Sequence, residues 1–261
     1  MAQVYVGTSG YSYRDWVGPF YPYGIRQEQM LAFYAEEFSF TEINSTFYRL
    51  PPAKMFESML KKVPQNFLFT VKAFQGLTHQ RGETVREEAA KMAEAIKPLV
   101  NEGRLGALIF QFPYSFKAKP ENRDYLERLR EFFPDAPLVV EFRHYSWLNS
   151  ETWSALRALG MGYVCVDAPR LRGLPGGAVQ ATSPVAYVRF HGRNAAMWWE
   201  HEEAWQRYDY LYTEEELCEW VPKIKFLERN SERVFIAFNN HFGAQAVFNA
   251  RMLRKLLGVD Y

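Results

Sequence analysis

No stretch of this chain approaches the roughly 20 consecutive apolar residues that a membrane-spanning helix needs. An excess of one charge is absent too: 31 Lys and Arg face 30 Asp and Glu, a net of +1 with histidine neutral. A near-neutral molecule exerts no global pull on polyanions, so any nucleic-acid binding needs a local basic patch. Cysteine is scarce. Cys165 lies in a strand-like run and Cys218 in a helix-like one, and no metal-binding spacing links them, so both are expected to be buried free thiols. No basic-then-apolar leader precedes the first strand-like run, Gln3-Val4-Tyr5-Val6, which gives the expectation of a cytoplasmic protein without membrane contact. Low-complexity linkers and internal repeats are also missing, so residues 1–261 read as one domain.

What is present is material for a large core, since 48% of residues are apolar and 17% aromatic. Strand-like runs at 3–7, 40–44, 67–72, 105–111, 137–142, 162–167, 185–190 and 234–239 alternate with amphipathic segments. These fall near 26–38, 53–63, 84–101, 122–133, 150–159, 213–229 and 245–257. Runs such as Ala107-Leu108-Ile109-Phe110 are almost wholly apolar, as parallel strands covered on both faces should be. Thr213-Glu214-Glu215-Glu216 opens a helix with a capping box, and Gly160 and Gly258 stand where helices end. Strand–helix alternation with right-handed crossovers closes most naturally into a single (β/α)₈ TIM barrel. Segment 170–183, rich in Gly and Pro, predicts an irregularity where the sixth helix belongs. A doubly wound open sheet is the other candidate, but no Gly-rich phosphate fingerprint follows the first strand.

Nearly every predicted strand ends in polar side chains. Glu42 and Asn44 end the second, Lys72 the third, Gln111 the fourth, and Glu141, Arg143 and His144 the fifth. Asp167 ends the sixth, Arg189 and His191 the seventh, and Asn239, Asn240 and His241 the eighth. In a barrel these carboxyl ends meet on the face where (β/α)₈ enzymes hold their sites. Glu42, Glu141, Asp167 and His191 are the acid/base candidates for work on a glycosidic or phosphodiester bond. Lys72, Arg143 and Arg189, with Arg193 beside Gly192 in the loop after strand seven, suit a phosphate or carboxylate group. Asn44, Gln111 and Asn239 add neutral hydrogen bonds, and of the adjacent Trp198 and Trp199 in the long loop 192–212 at least one, Trp198 first, is expected as a stacking platform or part of a lid. Two plainer readings compete: Glu141 with Arg143 or Arg189 as a structural ion pair, and Asp167 as the cap of a turn. Glu141, Asp167 and His191 are legitimate metal ligands, but the cations occupy the charge-compensating positions, so no metal or cofactor is expected.

Several of these stretches resemble one family. Gly7-Thr8-Ser9-Gly10-Tyr11 with Trp16 and Phe20-Tyr21-Pro22, then Glu42-Ile43-Asn44-Ser45-Thr46-Phe47-Tyr48, are similar to motifs of the DUF72 (YecE-like) family of TIM-barrel proteins. Phe110-Gln111-Phe112-Pro113, Glu141-Phe142-Arg143-His144 with Ser146-Trp147, Arg189-Phe190-His191-Gly192 and Phe238-Asn239-Asn240 follow in the family's order. Tyr11 stands where Trp is frequent and Phe112 where Leu is usual. The resemblance spans the chain and implies the barrel and the place of its site; it implies no activity. The residues favour an enzyme with hydrolase-like, metal-independent acid/base chemistry on a phosphorylated sugar, nucleotide or nucleic-acid end. The alternative is a non-catalytic module for nucleic acid or a small anion. Three acids in one pocket count against a pure anion binder. Oligomeric state is left open.

Overall fold

The apolar strands pair edge to edge until the sheet has no edge left. In the computed structural model, which describes residues 2–259, all eight strands are parallel and close into a barrel. They are β1 (Gln3–Ser9), β2 (Phe40–Ile43), β3 (Leu68–Lys72), β4 (Leu105–Gln111), β5 (Leu138–Glu141), β6 (Gly162–Asp167), β7 (Val185–Phe190) and β8 (Arg233–Phe238). They pair in chain order, and β8 returns to β1 over six matched residues. The helices around them are α1 (Gln27–Tyr34), α2 (Ala53–Leu60), α3 (Val85–Asn101), α4 (Pro120–Phe132), α5 (Ser150–Ala158), α6 (Glu214–Cys218), α7 (Val221–Arg229) and α8 (Gln245–Leu257). The protein is a (β/α)₈ barrel, as the alternation predicts. Among the described residues no helix is long and apolar enough to cross a membrane.

No helix lies between β6 and β7. Residues 168–184 cross without regular structure, consistent with their Gly and Pro content. Thr182 anchors the return, accepting from the Tyr163 amide at 2.8 Å and donating to the Met161 carbonyl at 2.8 Å. The single helix expected over 213–229 is instead two. Its capping box is present, with the Thr213 amide 3.0 Å from a Glu216 carboxylate oxygen. Pro222 lies in the first turn of α7, has no N–H to continue the α6 ladder, and restarts the helix after Trp220. Cys165 is buried as expected, but Cys218 is exposed, because α6 is short and turns that side to solvent.

Inside the barrel the side chains form a solid floor. Tyr5 stacks on Phe235 at 4.9 Å between ring centres, and Phe40 meets the same ring edge-on at 5.2 Å. Gly106 is required there, since a Cβ would stand 2.6 Å from the Phe235 ring. The β3–β4 register shifts beside it. Above this apolar plug, the period of two along each strand turns Glu42, Lys72, Gln111, Glu141 and Arg189 to the inside at the carboxyl end.

Candidate functional site

Arg189, near the end of β7, stands between two carboxylates. Its Nη1 donates to Glu141 at 2.6 Å and its Nη2 to Glu42 at 2.6 Å. Glu42 also accepts from the Tyr187 hydroxyl at 2.9 Å, and Tyr187 in turn meets Thr70 at 2.8 Å. Neither carboxylate is solvent-exposed, so each needs such partners to remain charged. Glu42, the acid embedded in an apolar strand, is there because Arg189 is.

Glu141 carries more. Arg143 places Nε 2.7 Å from Glu141 Oε1, close as an ion pair although out of line for a hydrogen bond. His191 Nε2 lies 3.1 Å from the same oxygen, while its Nδ1 lies 3.1 Å from the Asn239 amide nitrogen. The carboxylate favours a proton on Nε2, while Arg143 Nη2, 3.3 Å from the same nitrogen, favours its lone pair. Burial first, then Arg143, pushes His191 down to about 3, so the ring is neutral at pH 7. Burial would raise the Glu141 carboxyl, but Arg143, Arg189 and His191 together hold it well below the usual range. Burial likewise opposes charge on Arg189, and Glu42 and Glu141 more than reverse it. Glu141 is therefore ion-paired with both candidate arginines, and His191 is a neutral positioning group beneath the cavity rather than a ready proton donor.

Lys72 differs from every other charge here. Its ammonium makes no hydrogen bond or ion pair with any described residue and rests over the Phe47 ring at 4.1 Å. Burial, then Arg189, lowers it to about 7, against the opposing pull of Glu141 and Glu42. Its backbone is pinned by Thr46, whose hydroxyl donates to the Lys72 carbonyl at 2.6 Å.

These groups line a cavity of about 900 Å³ at the carboxyl ends of the strands, within the range of small-molecule sites. Of the residues anticipated from sequence, Glu42, Asn44, Lys72, Gln111, Arg143, Arg189 and Asn239 line it, with Glu141 and His191 bonded directly behind. Tyr13 stacked on His241 at 4.5 Å, together with Tyr48, Trp205 and Tyr208, forms an aromatic rim. Tyr187 and Tyr208 are not singled out by sequence. Tyr187 carries a usable signal, since it stands two residues before Arg189 and faces the same way. Tyr208 comes from a short 3₁₀ turn in a long loop and has no such signal.

Three anticipated residues lie elsewhere. Asp167 accepts from Arg193 Nε at 2.9 Å and Nη2 at 2.8 Å, from the Tyr212 hydroxyl at 2.7 Å and from Trp220 Nε1 at 2.7 Å. It follows Cys165 in alternation and so faces the helix layer, and it draws Arg193 away from the mouth. The Gly192 amide is occupied as well, donating to Tyr212 at 2.8 Å. Gly192 is needed for its positive φ of 86° and because a Cβ would meet Tyr210 at 2.8 Å, so no anion cradle forms in this loop. Trp198 is buried, its ring 5.7 Å from the Arg143 guanidinium; it packs over that side chain and offers no open platform, while Trp199 is exposed. Among the described residues no group of three or more His, Cys, Asp and Glu is arranged to hold a metal ion. We expect Asp167→Asn to lower the unfolding free energy by about 2 kcal/mol, since the new amide opposes bound donors. Urea denaturation measures this, and binding in the cavity should not change.

A closed (β/α)₈ barrel with a charge-paired polar cavity at its carboxyl-end face defines a TIM-barrel protein. The family model described as "Protein of unknown function DUF72" matches residues 5–261. The chain belongs to the DUF72 family. It is 33% identical to UPF0759 protein YunF of Bacillus subtilis (strain 168), over 99% of this chain and 96% of that protein. The crystal structure of a DUF72 family protein from Thermotoga maritima superposes with a TM-score of 0.91 at 42% identity, covering 98% of this chain and all of that one (100%). A DUF72 family protein from Enterococcus faecalis matches with a TM-score of 0.88 at 27% identity, covering 99% and 97%.

Proposed function

We propose that the protein is an enzyme that works by proton transfer on a small phosphorylated, sugar-like ligand bound at the carboxyl-end cavity. The observation that carries this reading is Lys72, an amine without a carboxylate partner, on a wall where both acids are already paired. An amine poised near neutrality can give and take protons, which the paired Glu141 and the neutral His191 are badly placed to do. The acid/base role expected of Glu42, Glu141 and His191 therefore passes to Lys72 as the proton-exchanging group. Arg143 is the anion clamp. It is partly exposed, whereas Arg189 is buried between two carboxylates. Asn44, Gln111 and Asn239 suit hydroxyl groups, and the aromatic rim suits a sugar face. Two free thiols fit a reducing cytoplasm.

The same facts support one other reading, a non-catalytic binder of a small anion or of nucleic acid, because both carboxylates already have structural partners. Calorimetry at low salt with inorganic phosphate, glycerol phosphate, nucleotides and short oligonucleotides tests the anion claim. Binding of phosphorylated ligands should weaken by roughly tenfold or more in Arg143→Gln, the worth of a charge-assisted hydrogen bond, and should weaken with salt. No binding by any of these ligands would leave the cation cluster a structural one. Tight binding with no turnover of any bound ligand would favour the binding module.

A further inference from the structure

We propose that Lys72 is a nucleophilic amine that condenses with the carbonyl carbon of an aldehyde or ketone ligand in this cavity, forming an imine. This deepens the reading above, on which the ligand is also anionic; the amine itself follows from its own surroundings. Lys72 is the cavity's cation without a polar partner, its Nζ held against the Phe47 face with its main chain fixed by Thr46. Every other charged group that faces it is committed. Glu42 and Glu141 are bonded to Arg189, Arg143 is paired with Glu141, and His79, which meets the Phe47 ring edge-on at 4.9 Å, is lowered to about 4 by burial and by Lys72 itself. No carboxylate is left to hold the amine in its protonated form.

The reaction balances without another reagent. The Nζ lone pair forms the C–N bond while the carbonyl π pair moves to oxygen, and one N–H proton passes to that oxygen to give a carbinolamine. Its hydroxyl then leaves as water with the second N–H proton, and the nitrogen lone pair closes the C=N bond. Amine and carbonyl become imine and water. With Lys72 near 7, about half of it is the free amine at neutral pH, against roughly one in 2,500 for an ordinary lysine.

A second lysine in the same cavity supplies an internal control. Lys62 lines the rim and donates to the Glu28 carbonyl at 3.3 Å in an exposed position. Wild-type protein is incubated with glycolaldehyde phosphate, or with glycolaldehyde, together with cyanoborohydride, which reduces an imine to a stable amine; peptide masses then locate the label. We expect Lys72 to be alkylated about a hundredfold faster than Lys62 at pH 7, with the advantage shrinking toward pH 10. Lys72→Met, with folding checked by circular dichroism, should lose that label alone. Labelling of Lys72 no faster than Lys62 overturns the nucleophile, even where phosphate ligands bind the wild type. Equal labelling of Lys72 by glycolaldehyde and its phosphate upholds the nucleophile and removes the anion requirement.

Discussion

Arg189→Met should destabilise the folded protein by about 4 kcal/mol near pH 7, the largest loss expected from any single change at the site. The side chain is 2% exposed and answers two carboxylates that are not exposed at all. Methionine fills much of the volume and supplies no charge, so Glu42 and Glu141 face each other across an apolar gap. Tyr187, Arg143 and His191 satisfy part of what is lost, which limits the cost. The pH dependence separates this from a packing defect. In the wild type, Glu141 is depressed, so its contribution is complete above the ordinary glutamate range and is lost as pH falls through its lower folded value. In the variant Glu141 keeps Arg143 but loses Arg189, so it is depressed less and less stability is lost in acid. The difference between the two proteins should therefore narrow below about pH 5, as read by urea denaturation across pH. A constant gap from pH 4 to 8 would mean that the charges contribute nothing and that only the lost contacts matter.

Lys72→Met should have the opposite sign. Burial lowers the folded lysine to about 7, while in the unfolded chain it titrates near 10.4. Between these values the unfolded state binds more protons, so wild-type stability rises with pH across that window. Below pH 7 the whole cost of burying the charged ammonium is present. A shift of that size corresponds to an upper limit of about 4.6 kcal/mol, and partial access to the cavity reduces it to roughly 2–3 kcal/mol. Removing the amine should thus stabilise the protein by that amount at pH 6, with the gain fading by pH 10. Thermal unfolding at the two pH values measures it. A site that keeps an unpaired cation at a cost to stability fits a functional demand on that cation. A destabilised Lys72→Met at pH 6 would show that the ammonium has a partner after all and would count against its reactivity.

Alternation of apolar strands and amphipathic helices was sufficient for the barrel, because closing a parallel sheet buries every strand on both faces and leaves few other solutions. The strand limits agree closely with those drawn from the runs, down to Gly162–Asp167 and Val185–Phe190. The site was legible for a related reason. With a period of two, polar residues of inward parity at the carboxyl ends of the strands share one interior, which brings Glu42, Lys72, Glu141 and Arg189 together. That parity alone also tells Asp167 apart, since it alternates with inward Val166; but nothing in the strand says that Arg193, Tyr212 and Trp220 will close around it.

Pairing was decided only by the tertiary structure. Glu141 has two arginines within reach in any sketch of the barrel, and the fold gives it both, leaving Arg143 as the partly exposed one. Which cation is left over is a matter of distances of a few ångströms across strands far apart in sequence, and it falls to Lys72. Burial of Trp198 and exposure of Trp199 were likewise undetermined, because adjacent residues in an irregular loop have no period to assign their faces. Sequence by itself determined the architecture and which inward strand-end side chains share the mouth, since backbone geometry repeats. Three-dimensional packing alone decided which charges cancel and which amine stays free, since Coulomb energy and desolvation depend on separations that no period encodes.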